Sequence, residues 1–253
     1  MADSGAMSAS DAIEQVETAA PRHSAIVRVT HWITTLSFFA LLVSGMELVI
    51  SHPRFYWGEA GNMWTHPLFR IPIPASRSLV PTGYNYTWPD QNGWSRYLHF
   101  QSAWVLVITG LLYVISGLVT RHFSRDLVPL KADRSWVRLY ASISEHLHFK
   151  RPAAADAHSY NVLQRISYLI VLFGMIPLAI WTGLAMSPSF VSAFPATVTI
   201  LGGTQSARTI HFFDSLALTL FVAVHVFMIV RAGFRNRMRT MITGQVESPQ
   251  ETL

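Results

Sequence analysis

The chain contains no cysteine. That absence excludes disulfides, cysteine-ligated zinc, iron–sulfur clusters and thioether-attached haem, so any redox group must be held by other side chains. Charge is scarce as well: 13% of the residues are Asp, Glu, Lys or Arg, against about 25% in ordinary soluble domains. Hydrophobic residues make up 51%, and they gather in long runs, as in a membrane bundle rather than a large soluble core. The net charge of +5 does not read as a nucleic-acid face, because the basic residues flank the apolar runs. No internal repeat is visible. Residues 1–21 lack the basic start and apolar middle of a signal peptide and are expected to form a disordered cytoplasmic tail.

Four apolar stretches, at about 26–50, 96–120, 162–186 and 207–232, are each long enough to cross a hydrocarbon layer of about 30 Å. Pro177 interrupts the third, which a neighbouring helix can accommodate. Of the 19 Lys and Arg residues, only Arg54, Arg70, Arg77, Arg96 and Arg208 fall on the connections after the first and third stretches. The positive-inside rule therefore puts both termini and the 121–160 connection in the cytoplasm. The predicted fold is an all-α integral membrane four-helix bundle, N-in and C-in, over residues 22–244, with a tail at 245–253.

Histidine is placed with more order than chance gives. His211 and His225 lie fourteen residues apart on the fourth stretch, a spacing that returns to within about 40° of the same helix face and about 21 Å further along it. His31 opens the first stretch and His99 the second. Under the N-in topology His31 shares the cytoplasmic level with His225, and His99 shares the outer level with His211. Ionisable groups inside a span are costly, and neutral imidazole bound to a metal gives them a reason to be there. Two pairs from facing helices, His31/His225 and His99/His211, suit the axial positions of two haem irons stacked across the bilayer.

Small and basic residues extend the pattern. Gly45 follows His31 by fourteen residues and Gly117 follows His99 by eighteen, so each lies near its histidine's face at the level of the other pair. Bare backbone there makes room for a flat macrocycle, although glycine is also common wherever membrane helices meet. Gly110 shares the His99 face. Arg28, Arg96, Arg165 and Arg208 stand at span entrances, where guanidinium groups either pair with haem propionates or mark topology and bind lipid phosphates. Asp214, one turn beyond His211, receives no role.

The stretches RVTHW (28–32), RYLHF (96–100), YNVLQR (160–165), GLAMSP (183–188) and GGTQSARTIHF (202–212), with the His211/His225 helix, are together informative. They resemble the b-type cytochrome subunits of membrane-bound hydrogenases, formate dehydrogenases and thiosulfate reductases, and the thiosulfate reductase branch most closely. The resemblance implies two haem b groups and electron transfer between a quinone pool and an extracytoplasmic, molybdopterin-type oxidoreductase subunit. It also implies a quinone site beside the cytoplasmic haem. Asn161 matches an asparagine of that site in the formate dehydrogenase branch, and nearby His158 is a candidate proton relay. The bacterial inner membrane is the implied location, with lipid, quinone and a periplasmic redox subunit as partners and no nucleic acid.

Residues 51–94 carry six prolines and nine aromatics. They are expected to fold on the outer face, as a docking platform or as an aromatic belt in the headgroups. Trp136, Leu139, Tyr140, Ile143 and Leu147 repeat at helical spacing, predicting a short helix on the cytoplasmic surface. His52, His66 and His122 read as solvated or interfacial. Three other functions stay open on the residues alone: a stand-alone haem oxidoreductase, a proton-using transporter and a haem-free membrane anchor.

Overall fold

Serine opens the first long helix. Ser24 accepts a hydrogen bond from the Val27 amide at α1 (Ala25–Ser51), satisfying one of the donors a helix start leaves free. The computed structural model describes residues 23–62, 64–72, 92–123 and 162–244. His158, Asn161, the predicted surface helix around 136–147 and both tails lie outside the described residues.

The second span is α2 (Asn92–Val119). The third comprises α3 (Val162–Ile170), a π-helical turn (Val171–Met175) and α4 (Ile176–Ala185). The short helices α5 (Pro188–Ala193) and α6 (Ala196–Thr199) lead to α7 (Thr204–Arg231), and α8 (Phe234–Thr243) follows it. The four spans are long and apolar enough to cross a membrane, and the molecule is an all-α membrane bundle. Two two-residue strands, β1 (Arg54–Phe55) and β2 (Phe69–Arg70), pair antiparallel between α1 and α2.

Helix starts differ from the sequence expectation for a simple reason. Hydropathy marks apolar residues, whereas α2 and α7 begin on polar first turns, Asn92-Gly93-Trp94-Ser95 and Thr204-Gln205-Ser206. Pro177 has no amide to donate and crowds the turn before it. The π turn immediately upstream absorbs that change of register.

The packing inverts that of a soluble domain. Large residues such as Leu36, Leu118 and Leu220 point outward, while the buried side chains of α1 and α2 are hydroxyls. In α1 these are Thr30, Ser37, Ser44 and Ser51, and in α2 Ser95, Ser102 and Thr109. Both sets repeat every seven residues, the period of a left-handed helix pair, and α1 with α2 forms the most extensive contact among the described elements. Small side chains let these backbones approach where no hydrophobic drive exists in lipid.

The outer connection docks on the start of α7. The Gly58 carbonyl accepts from the Gln205 and Ser206 amides at 3.0 and 3.2 Å, and the Glu59 carboxylate accepts from the Thr204 amide at 2.8 Å. A loop from elsewhere in the chain thus caps the helix, with a carboxylate on its positive end. Thr209 Oγ1 donates to the Tyr56 carbonyl at 2.7 Å, and the Gly58 amide donates to Ser206 Oγ, also at 2.7 Å. Phe55, Phe69, Phe212 and Phe213 stack beneath the hairpin.

Candidate functional site

His99 of α2 and His211 of α7 face each other with ring centres 6.2 Å apart and planes at 65°. Each ring is held from a neighbouring helix. His99 Nδ1 lies 3.0 Å from Ser44 Oγ of α1, and His211 Nδ1 lies 2.8 Å from Thr182 Oγ1 of α4. Both hydroxyls already donate backward at 2.7 Å, Ser44 to the Ala40 carbonyl and Thr182 to the Leu178 carbonyl. The proton between ring and hydroxyl therefore belongs to the ring, and Nδ1–H donates. Nε2 is left as the lone pair of each imidazole, the arrangement of a histidine prepared to bind a metal.

The residue after each hydroxyl completes the device. A Cβ on Gly45 would sit 3.5 Å from His99 Cε1, and one on Gly183 would sit 3.7 Å from His211 Cε1. Both rings thus rest directly on a helix backbone. Sequence reasoning had placed Gly45 at the outer level, but it missed Ser44, Thr182 and Gly183. A signal was available, because a hydroxyl–glycine dipeptide occurs at 44–45, 109–110, 116–117 and 182–183, each time inside an apolar run.

The other two histidines lie apart from this pair. His31 meets Trp32 edge-on at 5.4 Å, while His225 stacks with Phe221 at 5.8 Å and lies 6.1 Å from Tyr168. His31 and His225 are within electrostatic range of each other. His31 Nδ1 is buried with no hydrogen-bond partner among the described residues. Gly117 does not present open backbone, since the space its Cβ would take is filled by the Phe123 ring.

The arginines at the span entrances are engaged with the protein itself. Arg208 donates to the carbonyls of His52 and Arg54 and lies over the Phe55 ring, 4.9 Å from its centre. Arg28 Nη1 donates to the Ile242 carbonyl at 2.9 Å, while its Nε is buried without a partner among the described residues. Arg165 is buried and Arg96 exposed. Asp214 is 8% exposed, turned into the bundle with Oδ2 unbonded among the described residues.

The family described as prokaryotic cytochrome b561 matches residues 22–244. This chain belongs to that family. It is a b-type cytochrome of the bacterial inner membrane, crossing it several times, and membership implies haem b. Among its relatives is a putative protein-methionine-sulfoxide reductase subunit, YedZ1, of Azospira oryzae, 29% identical over 82% of this chain and 89% of that one. Probable Ni/Fe-hydrogenase B-type cytochrome subunits of Cupriavidus necator and Azotobacter vinelandii are each 25% identical, over 88% and 90% of this chain and 84% and 88% of theirs.

The outer histidines fit such a group. Two imidazoles that held one metal through bonds of roughly 2.0–2.1 Å would have ring centres about 6.3 Å apart. The His99–His211 separation of 6.2 Å matches that figure. Among the described residues no three His, Asp or Glu side chains converge, so the arrangement is a facing pair rather than a closed tetrahedral site.

Proposed function

We propose that this cytochrome is a di-haem electron-transfer subunit, carrying electrons across the membrane between a quinone pool and an extracytoplasmic oxidoreductase. The observation that carries the reading is the facing His99/His211 pair, with both Nδ1 atoms committed to Ser44 and Thr182 and both Nε2 lone pairs left over. His31 and His225 would hold the second haem. The support for this pair is the buried, unbonded Nδ1 of His31 and the fourteen-residue offset along α7, about 21 Å. Haem when bound supplies one-electron iron chemistry. The chain supplies four neutral imidazoles at two depths, hydroxyls that fix the outer tautomers, and apolar walls that keep water from the path.

The quinone site is assigned to the cytoplasmic side, around Asn161 with His158 as proton relay, on the strength of the resemblance. The partner is assigned to the outer face, where Trp57 and Trp64 stand exposed on the docked connection. That two kinds of relative are named as enzyme subunits supports an enzyme partner here. A molybdopterin-type enzyme is the proposed class.

Replacing His211 by Ala tests the pairing. The purified variant should lose one of two haems by pyridine haemochrome quantitation and keep the low-spin spectrum of the other. A variant that retains both haems, or loses both while still folded, contradicts the assignment.

A further inference from the structure

Beyond the spans, α8 has no part in the proposed electron path, yet its composition is the most one-sided in the chain. From Ser215 to Val246 there is no acidic residue, while Arg231, Arg235, Arg237 and Arg239 fall within nine positions. The helix begins three residues after α7 ends, turned by Gly233 in the left-handed region at φ +98°. Its buried edge is Thr240, with Met238, Met241 and Arg237 half-buried beside it. On the outward side Phe234 and Ile242 are exposed next to Arg235 and Arg239. Arg231 and Arg239 also have partners of their own within the protein. Apolar side chains bordered by guanidiniums, directly continuous with a membrane span, form the pattern of a helix lying in a bilayer interface.

We infer that α8 is a binding surface for anionic phospholipid headgroups, with Phe234 and Ile242 set into the acyl boundary and Arg235 the leading phosphate contact. Charge complementarity selects this occupant. A polybasic segment at the end of a span is drawn to the negative leaflet surface, and guanidinium forks suit phosphate oxygens. The lipid-bound helix also has a mechanical role. Its last carbonyls receive two side chains of the first turns of α1: Arg28 Nη1 donates to Ile242 at 2.9 Å and Trp32 Nε1 to Met241 at 3.2 Å. These two residues bracket His31. Headgroup binding on α8 therefore steadies the turn that carries His31, a statement about the chain that does not depend on what His31 ligates.

The experiment uses the full-length protein in nanodiscs of phosphatidylcholine alone or mixed with phosphatidylglycerol. Native mass spectrometry of the released protein should show several-fold more retained phosphatidylglycerol than phosphatidylcholine of the same chain length. Arg235→Gln should lower that ratio, and Arg235→Gln with Arg239→Gln should bring it close to one, whereas Arg235→Lys should keep much of it. Amide exchange over residues 25–34 should slow with phosphatidylglycerol in the native protein and not in the double variant. Equal retention of the two lipids, or an unchanged ratio in the double variant with helical content intact, overturns the inference. So does displacement of the retained lipid by millimolar inorganic phosphate, which would identify a plain anion site.

Discussion

Ser44 and Thr182 show what a single hydroxyl can do inside a membrane span. A hydroxyl in lipid ordinarily bonds the carbonyl one turn back and plays no further part. Here the same back-bond uses up the donor and leaves the oxygen as acceptor for His99 and His211. Removing it frees Nδ1 and lets the ring turn. Thr182→Val should therefore weaken retention of the proposed outer haem, by about the ten- to hundredfold usual for outer-shell partners of a metal-binding histidine. Ser44→Ala should act in the same direction, and both should shift the midpoint potential of one haem only. Haem titration and potentiometry of each variant check this, and equal shifts in both haems would contradict the geometry. The dipeptides Ser44-Gly45 and Thr182-Gly183 were visible in the sequence, but Thr109-Gly110 and Ser116-Gly117 read alike, so the pattern alone did not say which hydroxyl meets an imidazole. Helical periodicity and topology gave the expected depth order of the histidines, and the structure brings the rings of His99 and His211 together.

At the scale of elements, hydropathy located all four spans but could not foresee the cap on α7, which is made by residues 145 or more positions away. Gly203 permits it. Its φ of +114° is a left-handed conformation, and a Cβ there would strike the Gly58 backbone and the Glu59 carboxylate. Gly203→Ala should cost about 1–3 kcal/mol of local stability, seen as faster exchange of the Gln205 and Ser206 amides. Unchanged exchange would mean that the loop does not hold the helix end. Acid should loosen the same region. Desolvation by the surrounding protein, and then the charges of Arg208 and Arg96, hold His52 below its ordinary value of 6.5 although its surface is still open to solvent. The unfolded chain thus takes up the proton first, and the stability of the cap falls as the pH drops below about 6.5. His52→Gln should flatten that dependence in amide exchange over residues 204–209. The effect is small, because the side chain is exposed.

The whole molecule reads as two unlike ends joined by rigid rods. The outer end is a folded hairpin locked to α7, and the opposite end gathers Arg28, Trp32 and α8 around the start of α1. Heptads of hydroxyls hold α1 to α2, so His31 and His99 are fixed to one tightly packed pair while His211 and His225 share a single helix. In the proposed function the purified cytochrome, without any enzyme partner, should have both haems reduced by a short-chain quinol in detergent, whereas the haem that remains in His31→Ala should stay oxidised. Stopped-flow absorbance checks this, and reduction of the outer haem alone in that variant would place electron entry on the wrong side.

The Gly58 carbonyl and the Glu59 carboxylate have one more consequence. Among the described elements they grip the tip of the one rod, α7, that carries both His211 and His225. In the proposed function, a partner seated over Trp57 would hold a handle, and a tilt given to it would reach His211 within two helical turns and His225 four turns below.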